Sequence, residues 1–167
     1  FVGCGGSQAA IFPGKYLLDC ESKTLSVKIY NSNEFVHCPP VKLDGQCLVI
    51  CCSLKATAET VEAVKTANNA GAVTIAMTGS METGMAQVGQ YVVTYSNGDH
   101  QVYSQGNQAQ ALRIAFELLH QLEGYAHYEE AMESFDQIDE IIAEAKENML
   151  QAAKKSAEEY QKDAMFY

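Results

Sequence analysis

The sequence predicts an α/β fold, with a mostly parallel sheet covered by helices on both faces. Short apolar runs rich in strand-forming residues recur along the chain, and helical patterns separate them. The run 46–52 is apolar at successive positions from Cys47 onward, which is typical of a central parallel strand buried on both faces. With 167 residues, 47% of them apolar and 19% charged, the chain can form one globular domain with a substantial core.

Five strands and several helices follow from this pattern. The strands are predicted over 1–4, 25–30, 46–52, 72–77 and 91–95. Helices are predicted over about 7–20, 58–70 and 112–122, and Gly71 is expected to terminate the second of them. The segments 31–40 and 97–107 are predicted as loops, and the second of these could cover a ligand.

A long acidic helix is predicted for the C-terminal segment 126–163. Its apolar positions are spaced alternately by three and four residues, giving one narrow stripe: Phe135, Ile138, Ile142, Ala145, Met149 and Ala152. Such a stripe packs either on a domain of the same chain or in a dimer seam. We expect residues 1–125 to be one domain, 126–163 a linker helix, and 164–167 the beginning of a second, similar domain.

Charge and cysteine content argue against several classes of protein. The formal net charge is −10 and Arg113 is the sole arginine, so the chain lacks the basic face that nucleic-acid binding needs. No apolar stretch approaches the roughly 20 residues that span a bilayer, so no membrane partner is expected. The six cysteines form no CxxC pair, which favours reduced thiols in a cytoplasmic protein. No metal-ligand motif is present, and neither a metal nor a cofactor is predicted.

A glycine-rich turn, Gly3-Cys4-Gly5-Gly6-Ser7, follows the first strand. Glycines allow backbone amides to approach an anion, and the following helix presents its positive N-terminus. A dinucleotide-binding turn would need a third glycine where Gln8 stands, and an acid after the second strand where Tyr30 and Asn31 stand. The turn therefore indicates a ligand other than a dinucleotide.

A second polar turn follows the third strand. Ser53, Lys55, Thr57 and Thr60 lie where that strand gives way to a helix, and together they offer hydroxyl groups, an ammonium group and free amides to one phosphate. Equally, Thr57 could serve only as the helix N-cap. The carboxyl ends of parallel strands are where open α/β sheets bind ligands, so the two turns are expected to converge there.

These turns resemble successive motifs of sugar isomerase (SIS) domains, together with Asn33-Glu34-Phe35, in the same order over most of the chain. The segments 30–35 and 123–128 and the pair Pro39-Pro40 are similar to those of fructoselysine- and glucoselysine-type 6-phosphate deglycases, relatives of glucosamine-6-phosphate synthase. The resemblance implies a flavodoxin-like three-layer fold with a five-stranded parallel sheet, and a homodimer that binds a phosphorylated sugar or fructosamine.

The same resemblance implies roles for individual residues. Ser53, Lys55 and Thr57 would hold the phosphate; Ser7 and the amides of Gly5 and Gly6 would contact the sugar, with Glu34 nearby. The catalytic carboxylate and histidine would come from a second SIS domain. Compared with the family, the phosphate turn is one residue shorter, Leu54 replaces a polar residue, Ala56 stands where glycine is common, and residues 106–108 lack the family's lysine followed by Thr or Ser.

Three functions remain after this comparison. The first is half of an enzyme that splits a 6-phosphorylated fructosamine into glucose 6-phosphate and an amine. The second is a non-catalytic phosphosugar sensor, and the third is an amino-transferring enzyme of the glucosamine-6-phosphate synthase type. His127 is more simply explained as a structural histidine hydrogen-bonded at a helix start, and Cys4 as a small packed residue, than either is as a catalytic group. His37, His100 and His120 have no neighbouring Ser or Asp in triad order.

Overall fold

The computed structural model describes residues 1–96 and 102–161 and contains a five-stranded, all-parallel sheet in the order β2-β1-β3-β4-β5. The strands are β1 (Val2–Gly3), β2 (Tyr30–Asn31), β3 (Leu48–Ser53), β4 (Val73–Thr78) and β5 (Tyr91–Thr94). The helices are α1 (Gly5–Glu21), α2 (Ser32–His37), α3 (Ala58–Asn69), α4 (Gly84–Val88), α5 (Asn107–Glu123) and α6 (Tyr128–Tyr160). The predicted α/β class, five parallel strands and long C-terminal helix are confirmed.

The central strand β3 explains why the fold has three layers. Its side chains alternate, so Ile50 and Cys52 lie in the core beneath α1 and α5, whereas Val49 and Cys51 lie in the core beneath α2, α3 and α4. Because both faces are apolar, each needs its own cover of helices. The two helical layers therefore follow from the continuous apolar run predicted for this strand.

Helices α1 and α5 pack closely on one face of the sheet. A Cβ atom at Gly14 would lie 2.8 Å from the carbonyl oxygen of Ala111, closer than two such atoms can approach. The absence of a side chain at Gly14 thus allows the helices to meet backbone to backbone. Since α1 follows β1 and α5 follows β5, this contact draws the two halves of the sheet together.

The predicted second strand over 25–30 and the predicted loop over 31–40 are both wrong in detail. The strand contains only Tyr30 and Asn31; before it, the Lys28 carbonyl accepts from the Phe1 amine at 2.8 Å, and Leu25 and Val27 pack on the core. The next segment is helix α2, which begins at a capping box: the Asn31 side chain accepts from the Asn33 amide, and Glu34 accepts from the Asn31 amide.

Further differences lie in the second half of the chain. Helix α4 was not predicted; its N-cap is Thr83, whose hydroxyl accepts from the Ala86 amide. Within the predicted loop 97–107, the structure describes residues 102–107, which include a 3₁₀ turn at Tyr103–Gln105 and the start of α5. His100 and the predicted beginning of a second domain at 164–167 lie outside the described residues.

Helix α6 packs on the domain through its first turns. Phe135 is buried against Phe116, and the amide and hydroxyl of Ser104 both donate to the Asp139 carboxylate, at 3.1 and 2.6 Å. Farther along the predicted stripe, Met149 is 66% exposed. The stripe thus has two parts, one packed on the domain and one exposed along the rest of the helix. None of the described helices is long and apolar enough to cross a membrane.

Glu123 joins the end of α5 to the turn that follows α1. Its carboxylate accepts from the Ser22 and Thr24 hydroxyls at 2.5 and 2.6 Å and from the Lys23 and Thr24 amides. Hydrogen bonds from these donors, first of all from Ser22, lower the pKa of Glu123 from an ordinary 4.5 to about 2. The ionised carboxylate is therefore the form that the folded chain stabilises.

Replacing Glu123 by alanine is expected to lower the melting temperature at pH 7. The contribution of Glu123 is complete above the unfolded pKa near 4.5 and is lost as the pH falls through the folded value of about 2. The difference between wild type and Glu123→Ala should therefore shrink between these two pH values, as measured by thermal unfolding monitored by circular dichroism. Glu147→Ala, an exposed change on α6, is the control, and a pH-independent difference would contradict this account.

Candidate functional site

The order of the strands places the two predicted polar turns next to each other. From β1 the chain crosses to β2 on one side of the sheet and then to β3 on the other, so that β1 and β3 are neighbours, with Gly3 opposite Cys52. Such a reversal opens a crevice at the carboxyl ends of the strands, where α/β proteins bind ligands. The turn after Gly3 and the turn after Cys52 lie at this crevice.

The turn after β1 presents exposed backbone. Gly5 has a φ of +53°, and a Cβ atom added to Gly5 or Gly6 would meet no atom within 4 Å. Helix α1 begins here after Cys4, which forms no side-chain cap, while the amides of Ser7 and Gln8 point back to the Cys4 carbonyl. The first-turn amides of Gly5 and Gly6 have no acceptor within the helix and are available to an anion.

The turn after β3 is closed by Ser53. Its carbonyl accepts from the Ala56 amide at 3.3 Å, and its hydroxyl oxygen accepts from the Thr57 amide at 3.1 Å. Ser53 is 5% exposed, whereas the side chains of Lys55 and Thr57 are exposed. The Ser53 hydroxyl can still donate its proton, so the turn combines hydroxyl donors with an ammonium group.

Thr57 occupies the N-cap position of α3 but does not act as a side-chain cap. Its hydroxyl instead lies 2.9 Å from the hydroxyl of Thr60, which in turn lies 2.9 Å from that of Ser32 in α2. Ser32 and Thr60 are fully buried. Of the four polar residues that sequence reasoning grouped here, Thr60 is thus a buried partner of Thr57 rather than an exposed group.

Glu34 and Cys4 both contact the polar end of β2. The Glu34 carboxylate is exposed and completes the capping box at Asn31. The Cys4 thiol is directed at the side-chain oxygen of Asn31, with 3.8 Å between sulfur and oxygen. Glu34 thus lies just after the carboxyl end of β2, where its observed contact stabilises the start of α2.

A buried tyrosine lies behind the glycine turn and was missed by sequence reasoning. Tyr95 directly follows β5 and is 4% exposed; the Cys52 thiol donates to its hydroxyl across 3.7 Å, and Ser7 and Asn107 lie close enough to this hydroxyl to influence its pKa. Burial, the largest cause, raises the pKa of Tyr95 well above its ordinary range, so the phenol stays neutral. The Tyr95 hydroxyl thus lies near both Ser7, at the start of α1, and Asn107, at the start of α5. The sequence signal was a tyrosine ending an apolar strand.

The segment 123–128 lies away from this crevice. Glu123 holds the turn after α1, and that turn is at the opposite edge of the sheet, because α1 begins at the crevice and runs back from it. His127 pairs with Glu130 at 3.0 Å, and His120 stacks on Tyr128 at a centroid distance of 4.1 Å. These side chains hold the junction of α5 and α6, and the structure does not bring them to the two turns.

Comparisons with known proteins agree with this fold. No family model matches the chain. Over its whole length, however, the chain is 39% identical to fructosamine deglycase FrlB of Bacillus subtilis, of which it covers 51%. The chain is homologous to the N-terminal half of a fructosamine deglycase. It spans about half the length of this curated relative.

Solved structures extend the comparison. A candidate phosphosugar isomerase from Bacillus subtilis superimposes with a TM-score of 0.91 at 38% identity, over 100% of this chain and 51% of that one. A second candidate phosphosugar isomerase, from Salmonella typhimurium, superimposes with a TM-score of 0.92 at 36% identity, over 97% of this chain and 50% of that one. The C-terminal domain of glucosamine-fructose-6-phosphate aminotransferase from Francisella tularensis gives 0.61 at 18% identity over 85% and 41%, which concerns the fold alone. The fold is the α/β fold of SIS domains.

Ala56 is a strained residue in the turn after β3. Its φ of +52° lies in the left-handed region, and it is the one non-glycine residue with a positive φ among the described residues. The left-handed conformation brings a Cβ atom too close to the next carbonyl oxygen, at a cost of roughly 1–2 kcal/mol. The shortened turn therefore contains strain that a glycine would relieve.

Ala56→Gly is expected to raise the free energy of unfolding by about 0.5–1 kcal/mol, since the relief of strain exceeds the extra entropy of an unfolded glycine. Urea denaturation would measure the change. The matched control is Ala143→Gly on the exposed part of α6, where the same replacement should cost about 1 kcal/mol. Equal destabilisation by both changes would show that Ala56 is not strained.

Proposed function

We propose that this domain binds a phosphorylated sugar derivative at the crevice between β1 and β3. The observation that supports this most directly is the adjacency of the two turns, one offering the amides of Gly5 and Gly6 and the other the side chains of Ser53, Lys55 and Thr57. The N-terminus of α3 and the ammonium group of Lys55 together favour a dianion such as a phosphate monoester. The names of the similar proteins, a deglycase and phosphosugar isomerases, agree with this ligand.

In this proposal, the turn after β3 binds the phosphate group and the turn after β1 contacts the sugar. Ser53 and Thr57 donate hydroxyl protons to the phosphate oxygens, and Lys55 supplies the opposite charge. Ser7 and the amides of Gly5 and Gly6 contact the sugar chain, while Glu34 lies at the end of β2 beside them. The identity with a fructosamine deglycase over the whole chain extends the proposal to the complete protein. That protein would convert a 6-phosphorylated fructosamine and water into glucose 6-phosphate and an amine.

The chemistry of that reaction explains why half a protein would not suffice. A proton must leave carbon 1 and another must reach carbon 2, which converts the ketosamine through an enaminol into an imine that water hydrolyses. A carboxylate or histidine within hydrogen-bond reach of both carbons would carry these protons. The two turns contain neither, and the Glu34 carboxylate is used in the capping box. We therefore assign binding to this half and proton transfer to a second SIS domain; the homodimer and the cytoplasmic location remain predictions.

Calorimetric titration with fructose 6-phosphate tests the binding site. The wild-type chain should bind this ligand but not unphosphorylated fructose. The double change Ser53→Ala, Thr57→Ala should weaken binding at least about tenfold, since each hydroxyl bond to a charged group contributes about 1.5–3 kcal/mol. Ser134→Ala, which removes a hydroxyl on α6, is the control and should bind like wild type.

Two outcomes would contradict the proposal. Unchanged affinity in the double variant would place the phosphate elsewhere, and equal affinity for fructose would show that no phosphate site exists.

Analysis of reaction products then distinguishes the deglycase from a phosphosugar sensor and from an amino-transferring enzyme. Release of glucose 6-phosphate from fructoselysine 6-phosphate by the complete protein supports the deglycase, whereas turnover by residues 1–167 alone would contradict the division of labour.

A further inference from the structure

Three hydroxyl groups form a continuous chain from the core to the crevice. Ser32 Oγ lies 2.9 Å from Thr60 Oγ1, and Thr60 Oγ1 lies 2.9 Å from Thr57 Oγ1. Ser32 and Thr60 are 0% exposed, whereas Thr57 is exposed. This chain of hydroxyl groups therefore has a buried end at Ser32 in α2 and an exposed end at Thr57, in the turn proposed to hold the phosphate.

The surroundings of the buried end make these bonds necessary. The helix faces that contribute Ser32 and Thr60 also contribute apolar residues to one core, among them Phe35, Ala63 and Val64. A hydroxyl taken out of water without a partner is destabilising, so each buried hydroxyl needs the other. Thr60 is thus held in place from both sides and in turn fixes the Thr57 side chain.

The number of protons available fixes the direction of the hydrogen bonds in this chain of hydroxyl groups. Each hydroxyl has one proton to donate, and a phosphate dianion offers only acceptors. If Thr57 donates to the phosphate, its oxygen must accept from Thr60, and the Thr60 oxygen must then accept from Ser32. All three protons therefore point toward the ligand, and each bond polarises the next.

We propose that Ser32 and Thr60 are positioning residues that orient the Thr57 hydroxyl as a donor to the phosphate. This inference rests on the proposed phosphate site and adds two residues that do not touch the ligand. It predicts that phosphate affinity depends on buried hydroxyls in α2 and α3. Without Thr60, the Thr57 hydroxyl loses both its fixed orientation and the polarising bond behind it.

The test is titration of the protein with fructose 6-phosphate and with inorganic phosphate. Thr60→Val keeps the shape of the side chain and removes the hydroxyl. It should lower the affinity for both ligands roughly three- to tenfold. Thr60→Ser should restore affinity to near the wild-type value. Because Thr60→Val leaves the Ser32 hydroxyl buried without a partner, the double change Ser32→Ala, Thr60→Val provides a variant with no orphaned group and should show the same loss.

A matched control separates positioning from general destabilisation. Thr74 is also fully buried, and its hydroxyl donates to Asn68 at 2.9 Å at the opposite edge of the sheet. Thr74→Val should therefore reduce stability without changing phosphate affinity. A double-mutant cycle provides a second criterion, since in a Thr57→Val background the change Thr60→Val should have almost no further effect on binding.

The outcomes distinguish this inference from the proposed site. Wild-type affinity in the Ser32→Ala, Thr60→Val variant, with affinity lost in Thr57→Val, would overturn the positioning role and leave the phosphate site intact. Wild-type affinity in Thr57→Val would also overturn the positioning role, whereas the phosphate site itself is contradicted only by unchanged affinity in the Ser53→Ala, Thr57→Ala variant. Additive losses in the double-mutant cycle, or no recovery in Thr60→Ser, would assign the effect of Thr60 to packing and would also overturn the inference.

Discussion

The parallel direction of all five strands is the constraint on which the rest of this structure depends. Parallel strands must be joined by crossovers, so every strand delivers its following turn to the same edge of the sheet. The chain reverses its strand order between β1 and β3. The helices that follow these two strands therefore lie on opposite faces of the sheet, which leaves a crevice between the turn after β1 and the turn after β3. The crevice is therefore a consequence of topology, and the polar residues of the two turns determine its chemical character.

The two edges of the sheet serve different purposes. At the crevice edge, exposed amides and the side chains of Lys55 and Thr57 point toward solvent. At the opposite edge, the Glu123 carboxylate takes up several donors of the turn after α1 and fixes the end of α5. Glu123, in the segment 123–128, thus holds the scaffold together, while the residues proposed to bind the ligand lie in the two turns at the other edge.

Sequence reasoning succeeded where one physical signal dominated. The continuous apolar run of β3 predicted a central strand, and the glycines before α1 predicted an exposed backbone turn. It failed for α2, because a six-residue helix has too few turns for a visible period and depends on the capping box of Asn31 and Glu34. It also missed Tyr95, whose role comes from residues far apart in sequence, Ser7 and Asn107, which only the folded chain brings together.

The strain at Ala56 and the chain of hydroxyls belong to one local problem. The turn after β3 must reverse the chain over few residues, and Ala56 reaches the left-handed region to do so. A strained backbone conformation persists only where several surrounding contacts each enforce it. Here the Ser53 carbonyl and hydroxyl hold the Ala56 and Thr57 amides, and Thr60 holds the Thr57 side chain. The turn is therefore shaped by its own buried contacts before any ligand arrives, so that a phosphate would meet donors already in position.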